Sequence, residues 1–178
     1  MTATPSVRDV ASPQEILRDN GGVGGNGDDV FRFRVLPPVA VGVPLLVGWL
    51  ATLLWGDPFV LGGWSRPLGG VLLVLWVGWH AWCLRTFVRH GTGMLPGEGT
   101  SVLMEDGPFA ISRHPMSVGF VVLYVGLVLV APTAWGLLLL PVAVFLLLWG
   151  SIWPEEAFLR RRFGTAYDDY ARRVRQWL

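Results

Sequence analysis

PMSVGFVVLYVGLVLVAPTAWGLLLLPVAVFLLLWGSIWP, residues 115–154, contains no Asp, Glu, Lys, Arg or His. As one helix it would run to roughly 60 Å at about 1.5 Å per residue, about twice the hydrocarbon core of a bilayer. Ala131-Pro132-Thr133 stands near its middle, where a proline withholds a donor and favours a break. The stretch therefore predicts two membrane spans, about 116–131 and 134–153, joined by a very tight turn. The first of them is short for a bilayer.

Two more apolar segments precede this pair. One runs from about Val35 to Trp55, between Arg34 and Asp57, and carries no charge. The other runs from about Pro67 to Leu84, between Arg66 and Arg85, with His80 as its one ionisable side chain. Composition agrees: 52% of the 178 residues are hydrophobic, 15% are charged and the mean hydropathy is +0.49. A soluble domain carries about a quarter charged residues, because its surface faces water. The fold class expected is an all-α integral membrane protein with about four transmembrane helices.

The arginines orient it. Arg32 and Arg34 precede the first span, Arg85 and Arg89 follow the second, and Arg113 precedes the third. Six more, Arg160, Arg161, Arg162, Arg172, Arg173 and Arg175, follow the fourth. The loop between the first two spans has Asp57 and a single Arg66. The positive-inside rule places both termini and the loop over 86–114 in the cytoplasm of a cell (inner) membrane. All 14 basic residues are Arg, a bias expected of a GC-rich, prokaryotic genome.

Residues 1–30 are polar and Gly-rich, which predicts a mostly disordered tail before a membrane domain over 31–178. Ser12-Pro13-Gln14-Glu15 has the pattern of one short helix start. The tail lacks the apolar core of a secretory signal, and its Gly run lacks the strand and Lys of a phosphate loop. A net charge of +1 argues against a nucleic-acid partner. The lone cysteine, Cys83, excludes an intramolecular disulfide and a cysteine metal cluster and reads as a small buried hydrophobe. Residues 154–176 change character: Pro154-Glu155-Glu156 reads as a helix start, and the segment predicts an amphipathic cytoplasmic helix interrupted at Gly164.

Two short motifs carry chemistry. Gly107-Pro108 predicts a turn, and Arg113-His114-Pro115 stands at the mouth of the third span. There Arg and His serve either to bind an anionic group from the aqueous side or, more simply, to snorkel toward lipid phosphate. Glu155-Glu156 follows the fourth span. Neighbours on a helix point about 100° apart, so the pair is not expected to serve one site, and helix-dipole complementation is the plain alternative.

Together these segments resemble the isoprenylcysteine carboxyl methyltransferase and phospholipid methyltransferase superfamily. The matching elements are Gly107-Pro108-Phe109, Arg113-His114-Pro115 with Gly119, Glu155-Glu156 with Leu159, and Phe163-Gly164 with Tyr167 and Tyr170, within about residues 90–175. The resemblance implies methyl transfer from S-adenosylmethionine in a cytoplasmic pocket to a lipid-like or small hydrophobic acceptor that enters from the bilayer. It implies donor contacts at Ser101, Val102, Leu103, Met104, Phe109, His114, Pro115, Met116, Ser117 and Glu155, and catalytic roles for Arg113, His114 and Glu156. No metal is implied. Ser117 stands where the family usually has Tyr, and Ser151 where isoprenylcysteine enzymes carry an Arg. A membrane reductase using NADPH, of the sterol-reductase type, and a non-catalytic membrane scaffold are the rival expectations.

Overall fold

Proline and glycine punctuation sets the helices. In the computed structural model, which describes residues 33–90 and 103–178, α1 spans Pro37–Trp55 with two prolines in its first turn, where a missing N–H costs nothing. It ends at Gly56, whose φ of 71° suits glycine and whose N–H closes on Thr52 O. α2 spans Ser65–His90 and α3 spans Pro115–Val130. After the tight turn at 131–133, α4 spans Ala134–Leu147. A π-helical turn over Leu148–Ile152 carries the chain without interruption into α5, Trp153–Phe163. Gly164, with φ of 53°, breaks the path before α6, Thr165–Arg173. A 3₁₀ turn over Gly107–Ala110 precedes α3. No strand occurs among the described residues.

Three helices are long and apolar enough to cross a membrane: Pro37–Trp55, Ser65–His90 and the continuous Ala134–Phe163. Pro115–Val130 is apolar but shorter, at 16 residues. The outer faces present apolar side chains such as Leu53, Leu54 and Val74, as expected of helices solvated by lipid. The protein is thus a multi-pass, all-helical membrane protein.

The described residues belong to one compact unit, Phe31–Leu178, and the sequence expectations for the tail at 1–30 lie outside them. α3 lies against α1, α2 and α4, while α2 packs chiefly on α3. The core joins Ala40, Val41 and Leu45 of α1 to Tyr124 and Val128 of α3 and to Ala143 and Leu147 of α4. α1 and α4 cross at Gly48, where an added Cβ would stand 2.7 Å from the backbone of Gly136. Cys83 is buried, as its sequence context indicated.

One helix boundary departs from the sequence reading. Pro154 looked like a helix start, yet the helix passes straight through it. Pro154 has no N–H to give Gly150 O, its partner four residues back, so that carbonyl is free. It accepts instead from the N–H groups of Arg34 and Val35, at 2.9 and 3.1 Å. Trp153 N bonds to Leu148 O, five residues back, which is the π turn itself. A donor missing from one helix is replaced by the chain entering another.

Candidate active site

The site is built where the 103–114 segment, the start of α3 and the α4–α5 junction meet. The C-terminal segment fastens the first of these in place. Tyr170 OH donates to Phe109 O at 2.7 Å, and Arg173 pairs with Glu105 at 2.7 Å. Arg113 N donates to Arg175 O at 3.0 Å, and Ser112 Oγ donates to Gln176 O at 3.2 Å. Phe109 packs edge-on against Phe87 of α2, with ring centroids 5.6 Å apart. Trp79 Nε1 donates to Pro115 O at 2.7 Å and fixes the entry to α3.

His114 is the centre of this arrangement. Its side chain is 2% exposed, and its two ring nitrogens face two carboxylates: Nδ1 lies 3.2 Å from Glu155 Oε2, and Nε2 lies 3.3 Å from Glu156 Oε1. Glu156 Oε1 also takes Arg113 Nη1 at 2.8 Å. Of the two carboxylates Glu155 alone lines a cavity, as expected of neighbours about 100° apart on a helix, yet both meet one ring. The 100° between them is real, but a planar ring inserted between the side chains presents a nitrogen to each. An imidazole that donates from both nitrogens is the cation. Burial pushes the His114 pKa down, but the bonds and charges of Glu155 and Glu156 outweigh it and hold it up at about 9. In that state the ring has no lone pair with which to take a proton, and it bonds both acids at once.

Each remaining candidate has a definite position. Leu103, Met104, Phe109, Arg113 and Glu155 line one cavity, together with Phe87, Leu159 and Tyr170. Met116, Ser117 and Glu155 line a second cavity of about 520 Å³, among Phe33, Leu36, Leu84, Phe87, Phe120 and Ser151. Glu155 and Phe87 belong to both, so the cavities meet there. Pro115 is buried at the head of α3 and, with His114, lies behind the cavity walls. Ser101 and Val102 lie outside the described residues.

Several residues of this site escaped the sequence reading, with Phe33, Phe120, Leu159 and Tyr170 of the cavity walls among them. Phe87 stands three residues beyond the expected end of its span and carries no motif. Tyr167, whose phenol burial pushes up to about 12, keeps its proton beside Arg113 Nη1, at 3.5 Å. Ser151 was visible only as a departure from a family pattern. Two polar atoms of the site are buried without a partner among the described residues, Arg113 Nε and Ser151 Oγ.

A family model for phospholipid methyltransferases matches residues 64–166. This chain belongs to the phospholipid methyltransferase family. The match covers more than half of the chain, from the loop before α2 to the first turn of α6, and includes Arg113, His114, Glu155 and Glu156. Membership makes the protein a membrane methyltransferase, and its apolar helices supply the lipid-embedded frame that such an enzyme needs. No curated protein and no solved structure matches it.

Proposed function

We propose that the protein transfers a methyl group from S-adenosylmethionine to a lipid-like or small hydrophobic acceptor, at the junction of the two cavities. The observation that carries this reading is the shared wall of Phe87 and Glu155 between a mixed polar cavity and a mainly apolar one. The first cavity, at about 80 Å³, holds only part of such a molecule, but its residue types suit the donor's groups. Arg113 offers a guanidinium charge to a carboxylate, Glu155 offers acceptor oxygens to an ammonium or a hydroxyl, and Phe109 and Tyr170 offer aromatic surface. Bound there, S-adenosylmethionine supplies an already activated methyl group on a sulfonium.

What the chain contributes is positioning and the exclusion of water. Arg113, Glu156 and the His114 imidazolium form a closed charge network that aims Glu155 at the junction. The cation at His114 makes proton abstraction a poor role for that ring. Arg113, His114 and Glu156 are the residues that organise the site in this reading, and the donor wall is Leu103, Met104, Phe109 and Glu155. Pro115, Met116 and Ser117 form the turn that separates donor from acceptor.

The same reading sets four membrane crossings, with Pro115–Val130 as the short one and both termini in the cytoplasm. α6 then lies along the inner leaflet as an amphipathic helix, Tyr167 and Tyr170 inward and Arg172 and Arg173 outward. Residues 31–178 constitute the methyltransferase domain of an inner-membrane, prokaryotic enzyme.

Calorimetry of the purified protein with S-adenosylmethionine tests the donor. Saturable heat is expected for the wild type and a large loss of it for His114→Ala and Glu155→Ala. Unchanged affinity in both variants would sink the site assignment, and saturable binding of NADPH in place of S-adenosylmethionine would sink the reaction. Transfer of labelled methyl into a total membrane lipid extract and a panel of small thiols tests the acceptor side.

A further inference from the structure

One buried hydroxyl ties the C-terminal segment to the backbone of His114. Ser112 is 0% exposed, and its side chain both gives and takes a hydrogen bond. Its Oγ donates to Gln176 O and accepts from His114 N, each at 3.2 Å. Its own N–H donates to Pro108 O at 3.1 Å, in the 3₁₀ turn. Three stretches of chain therefore meet at this residue: the turn over Gly107–Ala110, the segment after α6 and the entry to α3.

The segment after α6 is laid down as a strap. Val174 leaves the helix in an extended conformation, with φ of −115° and ψ of 132°. Arg175 O accepts from Arg113 N at 3.0 Å, beside the Ser112 bond. The Gln176 side chain turns to the Glu156 carboxylate and donates to it. Leu178 lines an apolar groove of about 490 Å³ with Trp79 and Trp82 of α2 and Val118 and Val122 of α3. All of this lies beyond residue 166, where the family match ends, so the shared family pattern does not account for it. The strap thus touches the charge network twice, once through the backbone at 112–114 and once through Glu156.

The His114 ring depends on its place. Glu155 and Glu156 face its two nitrogens, Arg113 is the cation that shares Glu156, and Tyr167 stands beside Arg113. Burial by itself favours the neutral ring, so a ring moved off its carboxylates loses the charge. Without the Ser112 hydroxyl, the His114 N–H has no acceptor to hold it. We propose that Ser112 is a positioning residue of this site. With the strap over 174–178 it fixes the His114 backbone where the ring reaches both glutamates, and through them it keeps Glu155 aimed at the donor. The donor side of this assignment rests on the methyl-transfer reading of the preceding subsection.

NMR of the full chain in lipid nanodiscs, labelled at the histidine nitrogens, reads the His114 charge without requiring turnover, and His114→Gln assigns its signal. Wild-type His114 is expected to titrate at about 9. In Ser112→Ala its proton affinity should fall by about tenfold, and S-adenosylmethionine affinity by calorimetry should fall by a similar factor. Ser112→Thr keeps the hydroxyl and should restore most of both. Leu178→Gly, which loosens the strap from its 64% exposed end, should move both in the same direction by less. Asp57→Ala, which loosens the far end of α4, should leave the His114 titration where it was, so a general loss of stability gives no such signal. An unmoved titration in Ser112→Ala, or in Leu178→Gly where Ser112→Ala fails to fold, overturns the proposal. So does a moved titration with unchanged donor affinity where the wild type binds the donor. A wild type without donor heat, whose Ser112→Ala variant still loses the His114 charge, condemns the methyl-transfer reading and keeps the Ser112 assignment.

Discussion

The two ends of the helix bundle both carry polar clusters, and they handle hydrogen bonds in opposite ways. At the end formed by Trp55–Ser65 and the 131–133 turn, the polar side chains close on one another. Asp57 Oδ1 accepts from Ala134 N and from Thr52 Oγ1, each at 2.8 Å, and the Thr52 and Thr133 hydroxyls lie 2.8 Å apart. Thr133 caps α4 by accepting from Gly136 N at 3.0 Å. Trp49 and Trp135 donate to Ala131 O and Gly56 O. At the other end the charges also pair, but Arg113 Nε and Ser151 Oγ are left over, and both belong to cavity walls. A buried polar atom without a partner costs stability, so a bundle whose only task was to hold together would resemble the first end throughout. Trp76 Nε1 and both ring nitrogens of His80, midway along α2, also lack partners among the described residues, so what sets the second end apart is that its spare groups belong to residues that line cavities.

That contrast is open to attack by mutation. The largest effect is expected from Glu156→Ala, which strips Arg113 and the His114 imidazolium of their shared carboxylate. Breaking a buried ion pair on one side costs on the order of 3 kcal/mol. Methyl transfer should fall by on the order of a hundredfold, read in a labelled-methyl assay.

Asp57→Ala should do the converse. Loss of its bonds to Ala134 N, a first-turn N–H of α4, and to Thr52 Oγ1 costs about 1–2 kcal/mol, seen as a lower unfolding temperature in micelles, with donor affinity unchanged. A loss of donor affinity as large as that of Glu156→Ala would erase the distinction between the ends.

A pH series gives a third comparison. The folded-state pKa of His114 is raised from 6.5 to about 9, so its stabilising charge is fully present below pH 6.5 and is lost as pH rises through about 9. The unfolding temperature of the wild type should drop across that window. His114→Gln should flatten the drop, while Asp57→Ala should retain it. The smallest effect is expected from Tyr170→Phe, which removes one bond to Phe109 O. A cost of about 1 kcal/mol corresponds to about a fivefold weaker donor affinity by calorimetry.

The asymmetry also explains what was legible without coordinates. The apolar helices and the 131–133 turn were legible because lipid forbids unpaired backbone and charge, and a 40-residue run with neither leaves few options. Arg113, His114, Glu155 and Glu156 were legible as ionisable groups at span mouths, and their motifs as a family resemblance. Asp57 read only as a loop charge, since its partner is an N–H 77 residues away.

By itself, then, the sequence determined the solvent of this protein, the order of its helices and the residue types of its charged cluster, because those follow from local hydropathy and from proline and glycine geometry. Only the tertiary structure decided that one imidazole joins both glutamates, that Pro154 makes a π turn in place of a helix start, and that Ser151 belongs to a cavity wall with its hydroxyl unmet. Each of those depends on a group brought from far along the chain: the His114 ring set between Glu155 and Glu156, the Arg34 and Val35 N–H groups on Gly150 O, and the Phe33 wall. Periodicity records which face a residue occupies and not what meets it there.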